Sequence, residues 1–97
     1  MSLRFEWDVR KALINARKHG VAFEEARSAF GDPLSLTVAD RGRDGDEFRF
    51  VIVGRSVVGR LLVVWHVKGG DTIRLISARV ANRRETKVYE EGQDDRA

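Results

Sequence analysis

The stretch Arg60-Leu61-Leu62-Val63-Val64-Trp65-His66-Val67 constrains the fold most, because six of its eight residues are apolar and they fall on both parities. A run this short, rich in β-branched and aromatic residues and bounded by glycines, reads as a strand rather than a helix. Apolar side chains on both parities place that strand at the centre of a sheet covered on both faces. The flanking segments supply its neighbours. Gly69-Gly70 makes a tight hairpin into Thr72 to Ala78, and Ser56 to Gly59 turns back to Glu47 to Val53, where Phe48, Phe50 and Ile52 share a face. Leu34 to Val38 alternates Leu34, Leu36 and Val38 with Ser35 and Thr37, and a loop rich in Gly and Asp, Asp40 to Asp46, follows it. Connections this short fit an antiparallel meander rather than βαβ units.

The remaining segments carry helix signals. Asp8 can cap a helix from Val9 to Lys18, in which Val9, Ala12, Leu13 and Ala16 make one apolar stripe and Gly20 provides the left-handed end. Phe23, Ala26 and Phe30 share a face of a short second helix, stopped by Gly31-Asp32-Pro33. Asn82-Arg83-Arg84-Glu85 reads as a capping box, opening a last helix that runs to Glu91 and ends at Gly92, with a frayed tail from Gln93 to Ala97. The expected order is α-α-β-β-β-β-α: an α+β fold with helices packed on one antiparallel sheet. It forms a single domain over 1–97 with its core from about 4 to 92.

Composition narrows the function classes. There is no cysteine, no apolar run near the roughly 20 residues that span a bilayer, and no signal-peptide core between Met1 and Glu6, so a cytoplasmic protein is expected. No Gly-rich phosphate loop, HExxH or metal-ligand spacing occurs, and Asp44 and Asp46 lack an EF-hand pattern, so neither cofactor nor metal is expected. The net charge of +3 is mild but uneven. Gly54 to Glu90 holds eight basic residues against three acidic ones. Such a surface is either a solvated face or an attractor for phosphate backbones and acidic partners.

Several residues stand where local structure does not ask for them. Arg74 interrupts the apolar positions of its strand, and a cation there must reach solvent, a carboxylate or a ligand. Arg79 ends that strand. Arg83 and Arg84 occupy the first turn of the last helix, where its dipole disfavours cations, so either nearby carboxylates or an outside anion compensates them. His66 in the central strand is either a hydrogen-bonded structural residue or a catalyst. Lys18 and His19 suit the end of the first helix on structural grounds alone, yet could also serve a site. Trp7 and Trp65 are core residues or a face for a stacked base, and Tyr89 is a packing group or a site residue.

Taken in order, Phe5-Glu6-Trp7-Asp8, Arg17-Lys18-His19-Gly20, Phe23-Glu24-Glu25-Ala26, Phe30-Gly31-Asp32-Pro33-Leu34, Gly59 to Val64, Ile73 to Arg79, and Arg83-Arg84-Glu85 with Tyr89-Glu90 resemble the successive motifs of the BrnT family. The likeness spans about Arg4 to Gly92. It implies a RelE-like toxin fold, an endoribonuclease that cleaves RNA to arrest growth, and neutralisation by a BrnA-type ribbon-helix-helix antitoxin. It also implies contact with operator DNA only through the antitoxin complex. Ala22 stands where the family often has Ser, Asn82 where Thr is frequent, and Val80 where Lys is common, which removes one cation from the RNA face.

Metal-free cleavage requires a base for the 2′-OH, a cation for the developing phosphorane and an acid for the 5′ oxygen. Arg74 and Arg79 are the first choices for the cation, since a guanidinium fork matches phosphate oxygens. His19, His66, Lys18, Glu47 and Tyr89 are open candidates for base and acid, and Lys18, Arg83, Arg84 and Lys87 for holding RNA. The rival reading is a non-catalytic module whose basic face binds the antitoxin.

Overall fold

The computed structural model describes residues 3–44 and 47–96, with the backbone course alone for 41–44 and 93–96. Its elements are β1 (Arg4–Glu6), α1 (Val9–His19), α2 (Phe23–Ser28) with a 3-10 turn at Ala29–Gly31, β2 (Leu36–Asp44), β3 (Glu47–Arg55), β4 (Leu61–Gly69), β5 (Thr72–Val80) and α3 (Arg83–Arg96).

The sheet has the order β1-β5-β4-β3-β2, so the apolar run at Leu61 to Val67 lies in its central strand. Leu62, Val64, Ile52, Ile73, Leu75 and Ala78 meet Val21, Phe23 and Ala26 in one buried cluster, which places α1 and α2 over that face. The opposite parity, Leu36, Val38 and Val53, faces Val88 and Tyr89 of α3. Helices thus cover both faces. α3 lies over the β2–β3 side, and the rest of its face stays open.

The fold is α+β as expected, with several corrections. The sheet has five strands and is mixed, because β1 pairs parallel to β5. β1 is only three residues long, with Phe5 as its single inward side chain, too short for a periodic signal. β2 runs on to Asp44 through a register shift between Ala39 and Arg43, where a loop was expected; Gly45 and Asp46 lie outside the described residues. The β4–β5 turn is Gly70-Asp71, one residue beyond the expected Gly69-Gly70, with Gly70 at φ 62°.

Of the apolar stripe of α1 only Ala12 packs against the core: Val9 and Leu13 are 70% and 63% exposed, and Ala16 is exposed too. Asn15 is the buried residue of that helix, and its hydrogen bonds lie on the side that turns inward. The ends of α1 match the sequence, with Asp8 accepting from the Lys11 amide at 3.0 Å and Gly20 at φ 67°. α3 continues through Gly92 to Arg96 rather than stopping there, and Ala97 lies outside the described residues. A Cβ at Gly92 would sit 3.2 Å from the Leu36 side chain, so glycine permits close packing of helix on strand instead of ending the helix.

Candidate functional site

β5 carries the irregularity that builds the site. Trp65 of β4 pairs with Ser77, but His66 pairs with Leu75, leaving Ile76 as an extra residue. In a regular strand Arg74 and Arg79, five positions apart, would point to opposite faces. The bulge reverses the parity between them. Ile73, Leu75 and Ala78 all turn into the core, and Arg74, Ser77 and Arg79 share the open face. Their cross-strand neighbours on that face are Val67, Trp65 and Val63.

Three arginines of this face are held by carboxylates. Arg79 makes a fork onto Glu85 at 2.7 and 2.8 Å, and its guanidinium lies 5.1 Å from the centre of the Trp65 ring. Arg49 of β3 grips one oxygen of Asp40 at 3.0 and 2.6 Å. Arg74 bonds Glu47 at 2.6 Å. Glu85 is also the capping residue expected from the sequence. It accepts the Asn82 amide at 2.9 Å, while Asn82 accepts the Glu85 amide at 2.8 Å. Its bonds from Arg79 hold the Glu85 carboxyl below the usual carboxylate range, and Glu85 in turn raises Arg79.

Between the C-terminal end of α1 and the open sheet face lies a cleft of about 270 Å³, lined by His19, Arg49, Trp65, Ile76, Ser77 and Arg79. His19, Ile76 and Ser77 also border a hollow of about 190 Å³ that includes Lys18, so the two adjoin. The combined surface offers an imidazole, two guanidinium groups and an indole, with a lysine beside them. It can take an anion and a flat ring at once, and move a proton next to the anion.

Of the residues singled out in the sequence, His19, Lys18 and Arg79 come together here. Arg74 and Glu47 share the sheet face but sit in a neighbouring depression with Arg4, Glu6 and Thr72. Arg83, Arg84 and Lys87 are exposed on α3 and do not line the cleft; Arg84 borders an apolar groove with Leu36 and Val38.

His66 lies on the opposite, helix-covered face. It is 3% exposed, edge-on to Phe30 and within 3.2 Å of the Val64 carbonyl, and burial pushes its pKa down. Tyr89 is likewise buried, donating to Asp32 at 2.6 Å beneath the Arg55 guanidinium. Neither lines the cleft, and Tyr89 instead borders the groove between α3 and β2.

Sequence reasoning missed Arg49 and Ser77 and left Trp65 undecided. Arg49 had a legible signal, since it stands between Phe48 and Phe50 much as Arg74 stands between Ile73 and Leu75. Among the described residues no three His, Asp or Glu side chains are grouped to hold a metal ion, and no helix is long and apolar enough to cross a membrane.

Fold and cleft together define a class: a small α+β protein whose open sheet face gathers arginines around a tryptophan, suited to an anionic ligand that also carries flat rings. The family described as "Ribonuclease toxin, BrnT, of type II toxin-antitoxin system" matches residues 7–85, and the chain belongs to that family. Its structure is similar to the crystal structure of the Brucella abortus ribonuclease toxin BrnT, with a TM-score of 0.66 and 19% identity over 84% of this chain and 100% of that one. At that identity the likeness bears on the fold. No curated protein sequence matches the chain.

Proposed function

We propose that this toxin is an endoribonuclease that cleaves single-stranded RNA without a metal ion, in the manner of RelE-type toxins, and that the His19–Arg79 cleft is its active site. The observation that carries this reading is the convergence of His19, Arg49, Trp65 and Arg79 on one surface. His19 takes the proton of the 2′-OH as its oxygen attacks phosphorus. Arg79 and Arg49 stabilise the charge that builds on the phosphorane oxygens. The P–O5′ bond breaks, the 5′ oxygen takes up a proton from solvent water, and a 2′,3′-cyclic phosphate remains. Trp65 supplies a stacking surface for an unpaired base, which an A-form duplex does not offer. Lys18 and, farther along the face, Arg74 hold flanking phosphates.

Neutralisation by a BrnA-type antitoxin, and repression of the operon by the complex, complete the reading. A protein that binds the native state raises its stability by mass action. The test is cleavage of a single-stranded RNA by the purified toxin in excess EDTA, with and without the antitoxin encoded beside it. Cleavage that leaves cyclic phosphate ends and stops on adding antitoxin supports the reading. Activity that appears only with Mg²⁺ or Mn²⁺ overturns the metal-free mechanism. A purified chain that binds antitoxin but cuts no RNA supports the binding-module alternative.

A further inference from the structure

β5 has a strand neighbour on its outer edge only as far as Arg74, where β1 ends. Beyond that point a single side chain of α1 stands in for the missing strand. The Asn15 amide donates to the Ala78 carbonyl at 2.9 Å, and its oxygen accepts the Ala78 amide at 3.1 Å, so both backbone groups of one residue are satisfied as a neighbouring strand would satisfy them. The same amide nitrogen donates to the Val21 carbonyl at 2.9 Å, just past the end of α1, and the Ser77 hydroxyl approaches the oxygen at 3.5 Å. Asn15 is 6% exposed, and its bonds to the Val21 and Ala78 backbone are buried, where an unmade one is costly.

The location matters as much as the bonding. Ala78 is the residue between Ser77 and Arg79, directly after the bulge that turns both toward the cleft. Asn15 and His19 are one helical turn apart, and Lys18 is adjacent to His19. The two halves of the cleft belong to different elements: His19 and Lys18 to α1, and Ser77 and Arg79 to β5. We propose that Asn15 is a positioning residue for RNA cleavage, fixing the distance between His19 and Arg79 by clamping α1 to β5. This rests on the reading of the cleft as the ribonuclease site. The clamp acts on geometry at the reacting phosphate, where small displacements cost rate rather than affinity.

The experiment uses the full chain with Asn15→Leu, which keeps the volume and removes every bond, and Asn15→Asp, which keeps the acceptor for Ala78 and removes the donors. Single-turnover cleavage, RNA binding, and the NMR signals of the His19 ring and the Arg79 Nε–H are measured for each. The expected result for folded Asn15→Leu is cleavage at least tenfold slower, RNA Kd within about threefold of wild type, and shifted His19 and Arg79 signals. For Asn15→Asp the rate relative to wild type should recover as pH falls, because a protonated carboxyl can again donate to the Ala78 carbonyl.

Wild-type cleavage by folded Asn15→Leu, or equal losses in rate and affinity, overturns the proposal. If the leucine variant does not fold, Asn15→Asp decides it, and a constant ratio to wild type across pH overturns it. If the wild-type chain cleaves no RNA, the functional reading fails. The NMR signals then decide the clamp by themselves, and unchanged His19 and Arg79 signals in the variants overturn it.

Discussion

Glu85 binds Arg79 through both carboxylate oxygens while one of those oxygens also accepts the amide of Asn82, the residue that caps α3. Helix cap and site arginine therefore share one anion, and a change at Glu85 is felt in both. Glu85→Gln keeps the shape but removes the charge, and should cost about 1–2 kcal/mol of stability at pH 7. The sign with pH follows from the lowered Glu85 pKa. The contribution is fully present above the unfolded carboxylate value, about 4.3, and is lost as pH falls through the lower folded value. Urea unfolding at pH 7 and pH 3 checks this: the gap between wild type and Glu85→Gln should narrow at the lower pH, and a constant gap contradicts it.

His66 has the same sign from a different cause. Burial lowers its pKa, so the folded chain resists protonating it. Stability is fully present above the unfolded histidine value, about 6.5, and falls as pH drops from there toward the depressed folded value. His66→Phe, beside Phe30 and Phe50, should flatten that part of the stability profile and leave RNA cleavage within about threefold of wild type. A hundredfold loss of cleavage in the folded variant would return His66 to the active site.

Much of this architecture is written in local sequence. The Asp8 and Asn82–Glu85 caps and the central strand at Leu61 to Val67 follow from side-chain chemistry a few residues apart. What the sequence hides depends on contacts distant in the chain. The side of α1 that faces inward carries Asn15, which reaches Ala78, 63 positions away, and leaves Val9 and Leu13 of the apolar stripe exposed. The common face of Arg74 and Arg79 depends on a bulge opposite Trp65 and His66, which shows in isolation only as buried Ile73 and Leu75 falling out of step with buried Ala78. His66 and Tyr89 are chemically plausible catalysts whose burial only the assembled sheet reveals.

Trp65 should report RNA directly. Stacking on an aromatic side chain contributes about 1–3 kcal/mol per base, so Trp65→Leu should weaken single-stranded RNA binding about tenfold, and Trp65→Phe by less. In a Trp7→Phe background the remaining indole fluorescence should change as RNA is titrated. No change at saturating RNA would remove Trp65 from the binding surface.

The most direct test of the cleft compares two arginines of one strand and one face. Arg79→Lys and Arg74→Lys both keep the positive charge and lose the planar set of guanidinium donors, which in Arg79 also forks onto Glu85. Arg79 lines the cleft with His19, whereas Arg74 lies beside Glu47 in the neighbouring depression. Single-turnover cleavage and equilibrium binding of the same single-stranded RNA should be measured for both variants, with circular dichroism to verify folding. The predicted result is cleavage slowed tenfold or more by Arg79→Lys with RNA Kd within about threefold, and a loss below threefold in both assays for Arg74→Lys. Cleavage unchanged by Arg79→Lys, or lowered more by Arg74→Lys, would contradict the placement of the chemistry between His19 and Arg79.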